Sequence, residues 1–286
     1  MDQRIIELYD DFTHRHFDRR LFLEQVTKLV GSSAVAMALM STIRSNYALA
    51  ETIPANDARL QVSHVVMPGA AGDVKGYLAR PKGDAKLPGV IVIHQNRGLN
   101  PHIEDVTRRV ALEGYVALGV DCMSALGGTP ADEDKAMQDF AKLTPDMAVG
   151  ELVQSVAYLK SRSDVNGKLG TVGFCWGGGM VNRLAVASPD IGAAVAFYGT
   201  PPALDQVGKI KASMLLNYAA LDERVTGTRP AYEEALKAAK VNYTIYVYPD
   251  VNHGFFDDTG GARYGADAAK LAWERTKAFF AQHLKA

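Results

Sequence analysis

Gly173-Phe174-Cys175-Trp176-Gly177 joins a short apolar run, Lys168-Leu169-Gly170-Thr171-Val172, to a helical one starting at Gly178-Gly179-Met180-Val181-Asn182-Arg183-Leu184-Ala185. So abrupt a strand-to-helix joint constrains the fold more than any other feature of the chain. The turn strains its central residue and leaves no space for bulky neighbours, a need that flanking glycines meet. It also sets Cys175 at a helix start, where free backbone N–H groups and the positive end of the helix dipole favour thiolate over thiol. By itself, G-x-C-x-G is weak evidence, because glycine-rich turns are common in proteins that alternate strands and helices.

The rest of the chain strengthens it. Leu221-Asp222-Glu223-Arg224-Val225 follows a strand-like run, Ala212-Ser213-Met214-Leu215-Leu216-Asn217-Tyr218. Val251-Asn252-His253-Gly254-Phe255-Phe256 follows another, Tyr243-Thr244-Ile245-Tyr246-Val247-Tyr248. Taken singly, Asp222 reads as a turn or cap residue and His253 as a hydrogen-bonded loop residue. Together they put nucleophile, acid and histidine in that order, each at the C-terminal end of a strand. This is the triad order of α/β-hydrolases, and open α/β sheets bind their ligands along that edge. Cys175 is then the expected nucleophile, His253 the base that takes its proton and later activates water, and Asp222 the group that fixes the imidazole. The oxyanion hole is expected from the backbone N–H groups of Trp176 and of Asn96, in the loop after Val90–Ile93.

Upstream, Arg59–Met67 and Val74–Arg80 read as an antiparallel pair joined by a Pro68–Asp73 turn. Gly89–Ile93 reads as a central parallel strand buried on both faces, and Tyr115–Asp121 as another strand. Helices are expected near 101–113, 131–142, 144–161 and 264–284. The fold class is therefore α/β: an α/β-hydrolase fold with a mostly parallel sheet covered by helices on both faces, spanning 57–286, plus an N-terminal helical segment over 1–56. A chain of 286 residues that is 48% hydrophobic can bury one large core. A net charge of −1, mixed along the chain, offers no nucleic-acid footprint. Two cysteines make no disulfide framework, and Cys122 reads as a small buried thiol. No cofactor motif and no metal-ligand spacing stands out; His14 and His16 read as part of a solvated face.

Residues 173–179, Asp222 and Asn252-His253-Gly254-Phe255, with the block His94-Gln95-Asn96-Arg97-Gly98-Leu99-Asn100-Pro101-His102-Ile103-Glu104-Asp105-Val106, resemble the dienelactone hydrolase family from about residue 60 onward. The resemblance implies a Cys-Asp-His triad that hydrolyses small esters or lactones through an acyl-thioester, with no cofactor. It also implies two departures. Gln95 stands where the family usually has a glutamate thought to govern thiol ionisation, and an amide cannot accept a proton. The arginine clamp that grips a dienelactone carboxylate has no clear counterpart. Arg97 and Arg263 are candidates, each also readable as a structural ion-pair residue, with Phe255 beside the histidine as a further candidate to shape the site. A neutral ester or lactone is thus at least as good a substrate. Bulkier esters, amides or carbamates, a weakly catalytic binding module and a redox-sensing thiol at Cys175 remain alternatives.

The first 56 residues differ in character. Asp18-Arg19-Arg20-Leu21-Phe22-Leu23, an apolar stretch from Leu29 to Ile43, and Asn46-Tyr47-Ala48-Leu49-Ala50-Glu51 resemble a twin-arginine export signal cut after Ala50. That reading places the mature protein in the periplasm. Ile5, Ile6, Leu8, Tyr9 and Phe12 have the spacing of an amphipathic helix, which argues instead for a retained, packed segment and a cytoplasmic protein. If retained, the apolar stripe must be covered by the hydrolase domain or by a second subunit, so a homodimer is one expectation. The apolar stretch is too short to span a membrane. Gln95 yields a test: thiol alkylation followed against pH should differ between the wild type and Gln95→Glu, and indistinguishable profiles would contradict a role for this position in activation.

Overall fold

The computed structural model describes residues 1–14, 18–47 and 51–285. His16 and the Ala48-Leu49-Ala50 cleavage motif lie outside the described residues. One sheet of eight strands organises the rest: β1 (Leu60–Pro68), β2 (Asp73–Pro81), β3 (Leu87–Ile93), β4 (Val116–Val120), β5 (Val165–Phe174), β6 (Ile191–Phe197), β7 (Ser213–Ala219) and β8 (Tyr243–Tyr248). Their order across the sheet is β1-β2-β4-β3-β5-β6-β7-β8. β1 and β2 pair antiparallel and β2 pairs antiparallel with β4, while every later pairing is parallel. This is the α/β-hydrolase arrangement.

Ten α-helices accompany the sheet among the described residues: α1 (Gln3–His14), α2 (Arg19–Val30), α3 (Ser33–Ile43), α4 (Pro101–Leu112), α5 (Glu133–Phe140), α6 (Pro145–Ser161), α7 (Trp176–Ala187), α8 (Glu223–Thr226), α9 (Arg229–Ala238) and α10 (Ala266–Phe280). Apolar residues of α6, α7 and α9 form one core with the sheet, among them Leu152, Val181 and Tyr232. Those of α4 and α10, including Val106 and Ala272, form the core on the other face. The central strands are buried on both sides, which is why they read as continuous apolar runs. β6 is the strand that its sequence hides. Gly192-Ala193-Ala194-Val195-Ala196 has little intrinsic strand preference, and burial between β5 and β7 decides its conformation. The last helix ends at Phe280 rather than near Leu284, and residues 281–285 widen into a π turn that still buries Leu284.

Register places the site. Ile93 pairs with Gly173, Phe174 with Phe197, Phe197 with Asn217, and Ala219 with Tyr248. The C-terminal ends of β3, β5, β7 and β8 are therefore aligned along one edge. The segments that leave them carry Gln95 and Asn96, Cys175, Asp222 and His253 respectively.

The N-terminal helices form a third apolar cluster of their own. Ile5, Ile6, Tyr9 and Phe12 of α1 pack with Phe22, Val26, Ala36, Met40 and Ile43 of α2 and α3. Phe12 and Phe22 have ring centroids 5.3 Å apart, and Tyr9 lies 6.0 Å from both. Asp18 caps α2 by accepting from the Arg20 N–H, and Gly31 ends it at φ 73°, a conformation that glycine adopts without a Cβ penalty. α2 and α3 bend by 114° at that break, and no single described helix is long and apolar enough to cross a membrane. Arg19 and Arg20 sit exposed in the first turn of α2. Phe22→Ala should cost this cluster about 3–5 kcal/mol. Hydrogen exchange of α1–α3 should accelerate ahead of the sheet; unchanged protection would contradict the packing.

Candidate active site

The turn after β5 is built on backbone contact. Cys175 adopts φ 58° and ψ −120°, an unusual conformation for a residue with a side chain, and its N–H donates to the Phe197 carbonyl at 3.0 Å. A Cβ on Gly177 would sit 2.4 Å from the His94 carbonyl oxygen and 2.5 Å from that of Ile93. One on Gly178 would sit 2.4 Å from the Phe197 carbonyl oxygen, and one on Gly173 would sit 2.3 Å from that of Gly177. These glycines let α7 start hard against the ends of β3 and β6. The sulfur is held at the helix start, beside the loop that carries Gln95 and Asn96.

Asp222 and His253 meet across the ends of β7 and β8. Asp222 Oδ1 accepts from the Val225 N–H at 3.1 Å and so caps the short α8, while Oδ2 lies 2.6 Å from His253 Nδ1. Both side chains are buried. The other ring nitrogen of His253 is buried with no hydrogen-bond partner. A ring nitrogen of His253, the Cys175 sulfur and a ring nitrogen of His14 all lie within 4.8 Å of one another.

His14 is therefore no part of a solvated face. Its side chain is only 16% exposed, and Nε2 lies 3.0 Å from the Cys175 sulfur. Nδ1 lies 2.9 Å from Asp10 Oδ1 and 2.8 Å from the Asp10 carbonyl. The Arg224 guanidinium, two residues beyond Asp222, donates to Asp10 Oδ2 at 2.9 Å. The His14 and His253 rings meet edge to face at 4.7 Å. Asp10 and His14 at i, i+4 on a predicted amphipathic helix are the one sequence signal that could have revealed this pair. Nothing in the linear order couples them to a thiol 161 residues away.

Charge explains the ionisation. Burial pushes the Cys175 thiol up, but the imidazoles of His14 and His253 outweigh it and bring the thiol well below its ordinary range. Burial likewise disfavours a charged His253, yet the Cys175 thiolate, Asp10 and Asp222 raise it to about 10. His14 is raised against its own burial by Cys175 and Asp10. Asp222 is lowered against burial by its bond to His253. By contrast, burial holds the Cys122 thiol well above the usual range, with no imidazole to offset it.

The other sequence candidates divide. The Gln95 amide reaches Asp257 Oδ2 at 3.5 Å, and the Asn96 amide donates to the Thr13 carbonyl at the end of α1 at 2.9 Å. Arg97 pairs with Glu133 at 3.4 Å. Arg263 donates to the Ile43 carbonyl and to Ser45 Oγ, both at 3.3 Å, and lies over the Tyr9 ring at 5.0 Å. Both arginines are thus engaged by the protein, Arg263 by the N-terminal helices. Phe255 is fully buried among Phe197, Tyr198 and Tyr248 and lines neither site cavity, so it packs the core. The Trp176 ring is stacked on His94 at 5.3 Å and meets Phe140 edge-on.

Two cavities adjoin the centre. One of about 20 Å³, room for about one water molecule, touches Cys175, His14, His253, Gln95 and Asn96. A wider one of about 350 Å³ lies between α1 and the Leu221–Arg224 turn and includes Asp10, Asp222 and His253. His253 and Arg263 line both. Among the described residues, His14, Cys175 and His253 also form a grouping whose ligand atoms could reach one metal ion, as do His102, Asp257 and Asp258. Folding, not sequence spacing, creates both. In the second, His102 Nδ1 lies 3.1 Å from Asp258 Oδ1, an ion-pair distance, while neither of these buried atoms makes a hydrogen bond among the described residues.

A family model described as the dienelactone hydrolase family matches residues 74–284. A protein of Synechocystis sp., provisionally named a carboxymethylenebutenolidase, is 31% identical over 244 residues, covering 79% of this chain and 98% of that protein. An Escherichia coli O157:H7 protein of the same provisional name is 31% identical over 273 residues, covering 90% of this chain and 97% of its own. Among solved structures, a Klebsiella pneumoniae protein provisionally titled a dienelactone hydrolase superposes with a TM-score of 0.71 at 30% identity, covering 78% of this chain and 99% of its own.

Proposed function

The chain belongs to the dienelactone hydrolase family, and from that premise we propose that it hydrolyses small neutral esters or lactones through an acyl-thioester on Cys175. Hydrolase chemistry follows from the family; the residue roles and the substrate class are our reading. One observation carries it: Asp222 holds His253 Nδ1 at 2.6 Å and the opposite ring nitrogen is buried and unpartnered, in a ring that brings a nitrogen within 4.8 Å of the sulfur of a strained strand–turn–helix. An imidazole whose far side is fixed by a carboxylate and whose near side is open is placed to move a proton at that sulfur.

In this mechanism the Cys175 thiolate attacks the acyl carbon, forming a C–S bond and placing negative charge on the carbonyl oxygen. The backbone N–H groups of Trp176 and Asn96, on segments that the Gly177 contact brings together, receive that charge. The tetrahedral adduct expels the alkoxide, which takes the proton from His253 and leaves as the alcohol. Water then gives a proton to His253 as its oxygen attacks the thioester. The C–S bond breaks, the thiolate returns, and the carboxylic acid departs. Preference for a neutral substrate rests on the arginines, since Arg97 is paired with Glu133, a carboxylate it shares with Arg44, and Arg263 is committed to Ile43, Ser45 and Tyr9. Entry is assigned to the wider cavity, which reaches His253 from the α8 side.

An activated aryl ester should release a burst of phenol and leave an acyl mass adduct on Cys175. Cys175→Ala should abolish both, and His253→Gln should lower kcat by roughly 10²–10⁴-fold. A burst that survives Cys175→Ala, or an adduct elsewhere, would refute the assignment.

A further inference from the structure

We propose that His14, oriented by Asp10, is a second catalytic imidazole that holds the Cys175 sulfur as a thiolate between turnovers, in the place left by a non-ionisable Gln95. The proposal rests on the cysteine-hydrolase reading above and adds to it a residue from the N-terminal segment.

The geometry repeats at His14 what Asp222 does for His253. Asp10 Oδ1 sits 2.9 Å from His14 Nδ1, which leaves Nε2 pointing at the sulfur at 3.0 Å. Asp10 is itself fixed by Arg224. Three segments beside the site also anchor α1: Asn96 donates to the Thr13 carbonyl at 2.9 Å, Gln3 donates to Asn252 Oδ1 at 2.6 Å, and Arg263 lies over Tyr9. A helix merely covering an apolar face would need none of these polar ties. They fix the ring position to the precision that proton transfer requires.

The step is simple. The proton on the Cys175 sulfur passes to His14 Nε2, giving a thiolate–imidazolium pair, and no other bond changes. Among the described residues, Asp10, Asp222, Arg224, His253 and the buried Tyr198 phenol are charged or titratable groups around that pair. Arg97, Glu133 and Arg263, with the Tyr9 and Tyr47 phenols, line the remainder of the small cavity. Gln95 is within the same cavity, but its amide is turned to Asp257 and has no carboxylate to offer. The two imidazoles then divide the work. His14 keeps the resting thiolate, and His253, unpartnered at its inner nitrogen, serves the leaving group and the water. Because only about 20 Å³ is open at the sulfur, an acyl group reaches it by parting the sulfur from His14.

Full-length wild type, His14→Gln and Asp10→Asn should be compared by two readings against pH: alkylation of Cys175, and single-turnover acylation by an activated aryl ester followed by mass. In His14→Gln the alkylation midpoint should rise toward the ordinary thiol range, and acylation near pH 6 should slow by about tenfold or more. The deficit should shrink as pH rises and the thiol ionises unaided. Asp10→Asn, which keeps the ring, should shift the same way by less, and it carries the test if His14→Gln does not fold. Profiles that match wild type, or a loss equal at every pH, would overturn the proposal. A wild type that alkylates at Cys175 yet forms no acyl adduct there would overturn the hydrolase reading and with it the catalytic role.

Discussion

The structure depends on a sulfur atom held in a backbone conformation that its own side chain disfavours. Cys175 at φ 58° is tolerable only because Gly173, Gly177 and Gly178 let α7 start in contact with the carbonyl oxygens that end β3 and β6. The strain is local, and the central strands that support it are buried on both faces. Parallel register then brings the acid and histidine segments to the same edge. Two imidazoles, each backed by a carboxylate, converge on that sulfur. In a site with little water their charges count for far more than they would at the surface, and they outweigh the cost of burying a thiolate.

The N-terminal helices enter this account through two kinds of interaction. Their own apolar cluster makes them a packed unit, and the polar ties from Gln3, Asp10, Thr13 and His14 set that unit on the site with a defined register. The same placement that supplies a second imidazole narrows the space at the sulfur to about that of one water. Setting a second imidazole on the sulfur and restricting access to that sulfur are thus two results of one packing arrangement. The paired arginines at the start of α2 lie outside it, exposed to solvent.

Much of this was legible in the sequence, for physical reasons. Cys175, Asp222 and His253 could be placed because each follows a run with strand character, and the C-terminal ends of parallel strands share an edge. The strand β6 was not legible, since alanine and glycine carry no strand signal and only its neighbours force it to extend. Phe255 looked like a site residue by adjacency to His253, but its side chain turns into the aromatic core. His14 reads as solvated because composition cannot show that a residue 161 positions upstream docks on the Cys175 sulfur. The departure at Gln95 marks the lack of a carboxylate there, and nothing about it points to His14 as a neighbour of the sulfur.

In the proposed chemistry Cys175 rests as a thiolate in the folded protein. The ultraviolet absorbance of thiolate, taken as the difference between wild type and Cys175→Ala and titrated with pH, measures this directly. A thiol brought below its ordinary range is ionised above its lowered pKa and protonates only as pH falls through it. The expected result is a thiolate band present at neutral pH and lost on acidification. A band that appears only as pH climbs through about 8.5, the value of a free thiol, would contradict it.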